Sequence, residues 1–528
     1  MDKSMNKNKV EKYIITSVTN NTKTFKEALL SLESYASYLN ATLIVMPVYY
    51  NYDGTNDVIY DNDVKQYMIN NDVVIKDTVL LGSFRLRPTL IKPLSGLGTL
   101  YGESNIVVAS PKLHMEHLPV NEEHQVKTLM TTGTISYPNY SNTKLGKRTE
   151  FNHSFGAVIL EVSDTHSLMR QFSIDDNGVI CDLDVTVNGR EVTTGNNAEA
   201  IVYGDIHQLF MADVVKDKGF FGDDSLLHTL KPKQVVLHDL LDTMTVSHHH
   251  KNKPFTKYAI KQSGTTIFDE IESVNKFLSQ LVSENVLPVV VSSNHNSHLT
   301  YWLENADWRD NLKYAKDILN MQLMMLKEID AINDMDGKTP DVLNLLLKER
   351  FSDSVKTLDY KEQYTINSFR VDQHGHTGIN GARSMVNLPS KITSKMIIGH
   401  AHTAARYDGL LTVGVSSRLD RNYTYGMSSW SHTHAIIHTN NKAQLVTQDS
   451  KDGTYRLPKA NSKGRYLKEV LDTHSTLDFK YKVVDSDNNV VGYFNGYRGI
   501  GKEIFNSIWK GRMLVEKGSA YGYKLIVL

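Results

Sequence analysis

The sequence predicts an α/β protein with a crevice at the carboxyl ends of its strands. Three observations carry this reading. Short apolar runs of β character alternate with segments whose apolar residues recur at helical spacing. Several of these runs end at polar, ligand-type residues. Ala200-Ile201-Val202-Tyr203 leads into Gly204-Asp205-Ile206-His207, Val235-Val236-Leu237 into His238-Asp239, Val289-Val290-Val291 towards Asn294-His295, and Met396-Ile397-Ile398 into Gly399-His400-Ala401-His402. A fifth fragment, His374-Gly375-His376, lies between the last two. Open α/β sheets hold their sites in the crevice beyond the carboxyl ends of strands, which is where this pattern puts its imidazoles and carboxylates.

At 528 residues the chain is longer than one hydrophobic core usually supports. Three regions are expected: an N-terminal α/β region over 1–196, a catalytic region over 197–440 and a small β-rich region over 441–528. A hydrophobic content of 40% with 22% charged residues reads as globular, and a formal charge of -1 gives no global attraction to nucleic acid or membrane. The single cysteine, Cys181, excludes an internal disulfide framework and a thiolate zinc cluster. Any metal must therefore sit on His, Asp and Asn. No run approaches the roughly 18 apolar residues of a membrane span, and no secretion signal opens the chain, so a cytoplasmic location is expected.

Tyr13 to Val18 reads as a strand. Phe25 to Leu39 reads as a helix, with Phe25, Leu29, Leu32, Tyr35 and Leu39 in one stripe, and Ala41 to Val48 as the returning strand. A turn-rich break covers 51–57. Val79 to Leu81, Ile106 to Val108, Phe155 to Val162 and Gly178 to Val187 add β structure, and polar residues 193–197 mark the first boundary. In the middle region Phe268 to Leu281 reads as an amphipathic helix leading into a Leu287 to Val291 strand. Asp317 to Ile329 and Pro340 to Lys348 read as helices placed to cap the crevice. Asp334 to Gly337 is a turn that lacks the remaining ligands of a calcium loop. Near the end, Phe479 to Val484 and Val490 to Phe494 form a hairpin about a polar turn, followed by a short helix at Ile504 to Trp509 and a strand at Tyr523 to Val527. His248-His249-His250 reads as an exposed loop, and His432 and His434 as one face of a strand.

Asp205 and His207 are two apart, so both can turn towards one ion at a strand end. Asp239 can bridge two ions, with Asp242 as a neighbouring alternative, and Asn294 offers a neutral oxygen. Two dications roughly 3.5–4 Å apart can clamp a phosphate. His295, beside Asn294, is then free for acid–base work.

These fragments resemble the calcineurin-like metallophosphoesterases, a family marked by Asp-x-His, Gly-Asp, Gly-Asn-His, a later His and Gly-His-x-His. Here His238 replaces the Gly before Asp239, and Ser293 replaces the Gly before Asn294. The resemblance covers 197–440 and implies a metallophosphoesterase sandwich core. It implies a first metal on Asp205, His207, Asp239 and His402, a second on Asp239, Asn294, His374 and His400, and His295 as the catalytic histidine. It is nearest the nuclease branch, which implies DNA as the partner and two divalent ions, Mn2+ first among them. Arg383, His298 and Arg309 are candidate substrate contacts, among basic residues that also include Lys313, Lys316, Lys348, Arg350 and Arg370. The alternative functions are a nucleotide phosphodiesterase or phosphatase, or an assembly protein that carries such a domain. The terminal regions have room for self-association into a homo-oligomer or for a protein partner.

Overall fold

The computed structural model describes residues 9–461, apart from 51–57, 122–124, 251, 333–338, 379–393 and 422–425, and beyond them 481–484, 486, 490–494, 504, 507–521 and 523–527. The turns expected at 51–57 and 334–337 lie outside the described residues, as does Arg383.

The strand expected first is Glu11–Thr19, buried along nearly its whole length, and it pairs in parallel with Thr42–Val48. Between them runs the helix Lys26–Leu39, which buries Leu29, Leu32, Tyr35, Ala36 and Leu39. Asn40, in the left-handed conformation at φ 55°, ends it and turns the chain into the second strand. Gly156–Val162 and Ser167–Ser173 complete a four-stranded sheet with the order 42–11–156–167, naming each strand by its first residue.

A six-stranded sheet has the order 356–287–234–200–433–443. Its strands Lys356–Leu358, Leu287–Val291, Gln234–Leu237 and Ala200–Val202 are parallel, while Thr433–Ile437 and Ala443–Thr447 are antiparallel. The helix before its second strand is Ile267–Ser283. A capping box starts that helix, Thr266 accepting from Asp269 N and the Asp269 side chain accepting from Thr266 N.

The third sheet has ten strands and crosses residue 197. His114–Pro119, from the first region, pairs with Ala405–Tyr407, from the middle region, so strands on both sides of that position share one ladder. Alternation of side chains explains the layering. One face of each sheet turns inward to a common core that includes Ile15, Ile44, Val158, Val202, Val236, Val289, Val107, Ile397 and Leu411. The opposite residues Ile201, Val235, Leu237 and Val290 pack under the helices of the middle region, with Phe277, Leu278 and Leu281. Ile14, Leu43, Val45 and Ile159 do the same under Lys26–Leu39. Ser167–Ser173 runs beside Ala443–Thr447, so the four- and six-stranded sheets lie next to each other over the ten-stranded one. The result is mixed α/β with several mixed sheets.

Some expected elements are shifted. Gly178 to Val187 is two short antiparallel strands, Ile180–Asp182 and Val185–Asn188, because Leu183 takes φ 52° and turns the chain between them. The short helix expected at Ile504 to Trp509 is Ile508–Lys517, where the Ser507 hydroxyl accepts from Lys510 N and Gly518 closes the other end. His248–His250 is a turn of 3₁₀ helix rather than a loop. The hairpin expected near the end pairs Tyr481–Val484 with Val490–Phe494. No helix among the described residues is long and apolar enough to cross a membrane.

Candidate metal centre

The parallel strands of two sheets deliver their carboxyl ends to one place. Ala200–Val202, Gln234–Leu237 and Leu287–Val291 lead to Asp205, Asp239 and Asn294. In the ten-stranded sheet, Phe369–Arg370 and Met396–Ile398 lead to His374 and to His400 and His402. The short strand before His374 had no clear trace in the sequence. It is two residues long, below what alternation can reveal.

Asp205 is fully buried. Its Oδ2 accepts from His400 N at 2.8 Å and lies 3.0 Å from His402 Nε2. His402 Nε2 is also 3.2 Å from His207 Nε2, and His207 Nε2 is 3.9 Å from Asp239 Oδ2. One ligand atom each from Asp205, His207, Asp239 and His402 thus lies within 4.8 Å of the others, all in buried residues, and the group can hold a metal ion. Two imidazole nitrogens and two carboxylates form a donor set suited to a divalent first-row metal.

Around this group, His374 Nε2 sits 3.2 Å from Asp239 Oδ2, and the His374 ring is 5.2 Å from that of His400. Asn294 begins the helix Asn294–Glu304, for which Ser293 is the cap. Buried polar atoms without hydrogen-bond partners lie among these residues: Asp205 Oδ1, Asn294 Oδ1 and His374 Nδ1. Buried polar atoms are normally paired, so orphans concentrated at one point mark where cations fit. The four residues expected to hold the first ion are thus brought together, whereas of the second set His374 faces Asp239 but Asp239, His374 and His400 do not close into a group of the same tightness.

A second group shares His207. His207 Nδ1 lies 3.5 Å from Asp242 Oδ1, and one ligand atom each of His207, Asp242 and His295 falls within 4.8 Å. His295 Nδ1 donates to Asp242 O at 3.0 Å, leaving Nε2 to gain or lose a proton. Its ring lies 4.8 Å from that of His207. Arg421, which the sequence reading missed, is buried, donates to Asp242 Oδ1 at 3.0 Å and lies over the Phe210 ring at 3.7 Å. Nothing in its local sequence, Asp420-Arg421-Asn422, distinguishes it from a surface arginine.

Charges in the group sustain one another. Burial would raise the Asp205 carboxyl, but His374 and His402 bring it down to about 2. Burial acts likewise on Asp239, and His374 and His295 hold it well below the usual carboxylate range. For His207 and His374 burial disfavours the proton, yet Asp242 beside the first and Asp239 beside the second raise them above the ordinary value. Burial lowers His400 and His402, with Asp205 opposing it in both.

The supporting residues are equally specific. Gly204 N donates to His434 Nδ1 at 3.0 Å, so the other nitrogen of His434 is the protonated one and donates to Gln448 Oε1, also at 3.0 Å. His434 thereby fixes the turn that carries Asp205. A side chain at Gly204 would meet the backbone of Gly414 and Val415 at 2.7 Å, which explains the glycine before the first ligand. The Trp430 ring packs 4.2 Å from that of His402.

Of the residues expected to contact substrate, His298 is near the centre, its ring 5.3 Å from that of His295. Burial, then His295, pushes it down to about 4. Arg309 is not gathered there: it folds back on Asp307 at 3.3 Å and lies over the Trp308 ring. Arg370 is likewise held by Asp372.

The chain is 30% identical over 471 residues to Protein A1 of Escherichia phage T5, which spans 84% of this chain and 83% of that protein. It belongs to the family of that phage protein. No protein-family model matches the sequence, and no solved structure matches the fold.

Proposed function

We propose that this chain is a metal-dependent phosphodiesterase that hydrolyses DNA, with manganese as its preferred ion. The observation that carries the reading is the convergence of Asp205, His207, Asp239 and His402 within 4.8 Å in buried surroundings, at the carboxyl ends of parallel strands. The order of these ligands along the chain, and the later His374 and Gly399-His400-Ala401-His402, follow the pattern of the calcineurin-like metallophosphoesterases, and this supports assignment to that family. The first ion is held by Asp205, His207, Asp239 and His402. A second ion would be held by Asp239 with Asn294, His374 and His400. When bound, two divalent ions supply positive charge for phosphate oxygens and make a water acidic enough to attack near neutral pH. His295 moves the proton to the leaving oxygen, with its tautomer set by Asp242 O. Asp242 and Arg421 hold His207 in register.

The relative is a phage protein, which supports a role during infection, and the cytoplasm of the infected cell is the setting we assign. Host DNA degradation is the role we assign, and the terminal regions are free to hold a phage or host protein partner or a second copy of the chain. Plasmid DNA incubated with manganese, magnesium, zinc or chelator, beside a chromogenic phosphodiester, tests this. Cleavage is expected to be highest in manganese and weak in magnesium, which is poorly suited to imidazole-rich sites. Turnover of the small diester without cleavage of DNA would reject the nuclease assignment and leave a nucleotide phosphodiesterase.

A further inference from the structure

A third convergence of imidazoles lies outside the buried centre. His248 and His249 stand on the 3₁₀ turn His248–His250, and His298 stands one turn along the helix from Asn294. Their rings are mutually close, 4.0 Å between His248 and His249, 4.7 Å between His248 and His298, and 5.5 Å between His249 and His298. One nitrogen from each falls within 4.8 Å of the others. We propose that His248, His249 and His298 bind a further divalent cation of the zinc class, separate from the ions of the Asp205 centre.

The hydrogen bonding prepares His298 for this. Thr243 Oγ1 has one proton and gives it to a backbone carbonyl, Asp242 O at 2.7 Å. Towards His298 Nδ1, 3.4 Å away, that oxygen can then only accept. Nδ1 therefore carries the ring proton, and Nε2 presents its lone pair, the arrangement found where a metal-ligating histidine is oriented by its other nitrogen. The backbone of Thr243 is itself in the left-handed region, at φ 54°, which places its hydroxyl at that spot. The Ser247 hydroxyl accepts from His249 N at 3.3 Å and braces the turn that holds the other two rings.

The donor set decides the cation. Three imidazoles with no carboxylate among them suit zinc, cobalt or nickel, and leave a hard ion such as magnesium or calcium without oxygen ligands. Three histidines also leave a coordination position open. Beside the site is a cavity of about 580 Å³ whose lining includes His248, His250, Lys257, Lys261, Tyr301 and Trp302. The open position and the two lysines make an anion the fitting ligand for that space.

Equilibrium dialysis of the full chain against zinc, with metal counted by mass spectrometry, tests the site independently of any catalysis. His248→Ala/His249→Ala is expected to bind one zinc fewer per chain than the wild type. Asp205→Ala/Asp239→Ala is expected to lose the buried ions and keep that one. Cobalt in the second variant should give the strong visible absorption of a low-coordinate site, and His298→Gln in the same background should abolish it. Equal zinc counts in the wild type and His248→Ala/His249→Ala would overturn the proposal, as would a colourless cobalt complex of Asp205→Ala/Asp239→Ala. If either alanine pair failed to fold by circular dichroism, His248→Gln/His249→Gln and Asp205→Asn/Asp239→Asn would take their places with the same expected counts.

Discussion

A single methyl group at Gly399 is expected to disable the metal centre while leaving the fold in place. Gly399 opens the Gly399-His400-Ala401-His402 turn, and a Cβ there would stand 2.1 Å from Asp205 Oδ1, against 3.4 Å or more for an ordinary contact. The carboxylate must retreat by about 1.3 Å. It has no slack for this, because Oδ2 accepts from His400 N at 2.8 Å and lies 3.0 Å from His402 Nε2. Moving away sacrifices at least one charge-assisted hydrogen bond, at about 1.5–3 kcal/mol, and misplaces one ligand of the first ion. A loss of about 1.5–3 kcal/mol in binding corresponds to about 10- to 150-fold weaker affinity. Titration calorimetry with manganese on wild type and Gly399→Ala measures it directly, with thermal melting of the metal-free proteins as the check on folding. Gly409→Ala is the control, since its Cβ would come no closer than 3.4 Å, to the flexible Lys395 side chain. Wild-type manganese affinity in a folded Gly399→Ala protein would refute the placement of Asp205 as a ligand.

Three further outcomes follow from the same geometry. Asp239→Ala should deplete bound metal and nearly abolish DNA hydrolysis, because that carboxylate faces both His207 and His374; full metal and activity would move the bridging role to Asp242. His295→Ala should leave metal content close to wild type and slow the chemical step by about 10²–10⁴-fold in single-turnover cleavage, and loss of an ion instead would make His295 a ligand. Metal affinity should rise with pH through the histidine range. His207 and His374 are raised above the ordinary histidine range, by Asp242 and Asp239 respectively and against the effect of burial, so in the metal-free protein they keep protons that an incoming ion must displace. Calorimetry in buffers of different ionisation enthalpy should show proton release on binding, and an affinity flat between roughly pH 6 and pH 8 would contradict it.

Much of the centre was legible because its ligands follow β runs of distinctive composition. Asp205, Asp239 and His400 each come within three residues of a strand end, so a one-dimensional pattern carried three-dimensional information. Asp242 was visible as a neighbour of Asp239, but its pairing with Arg421 was not. That contact joins positions 179 apart, and nothing local marks it. The ten-stranded sheet was illegible for a related reason. Strands such as Val73–Ile75 and Leu410–Thr412 are three residues long, and the pairing of His114–Pro119 with Ala405–Tyr407 joins segments nearly three hundred residues apart. The helix Lys26–Leu39, by contrast, repeats its apolar stripe over several turns and needs no partner to be recognised.

The backbone supplies an argument for function that does not depend on resemblance. His207, Asp239, His400 and His402 all have left-handed φ, at 46°, 42°, 72° and 56°. Such a conformation costs a residue with a side chain roughly 1–2 kcal/mol, less for aspartate and histidine, which tolerate it better than most. Three of them, His207, Asp239 and His402, are buried, and the turns are cross-braced: His207 N donates to Asp239 O at 2.8 Å, and Gly399 N to His374 O at 2.8 Å. A cluster serving stability alone would gain nothing from strained turns, an orphaned ring nitrogen and two carboxylates turned towards each other. Glycine or asparagine at these positions would relax the backbone but remove an imidazole or a carboxylate. Retaining these residues makes sense when the side chain itself is required, and a cation in the group of Asp205, His207, Asp239 and His402 would favour both the carboxylates and the neutral imidazoles.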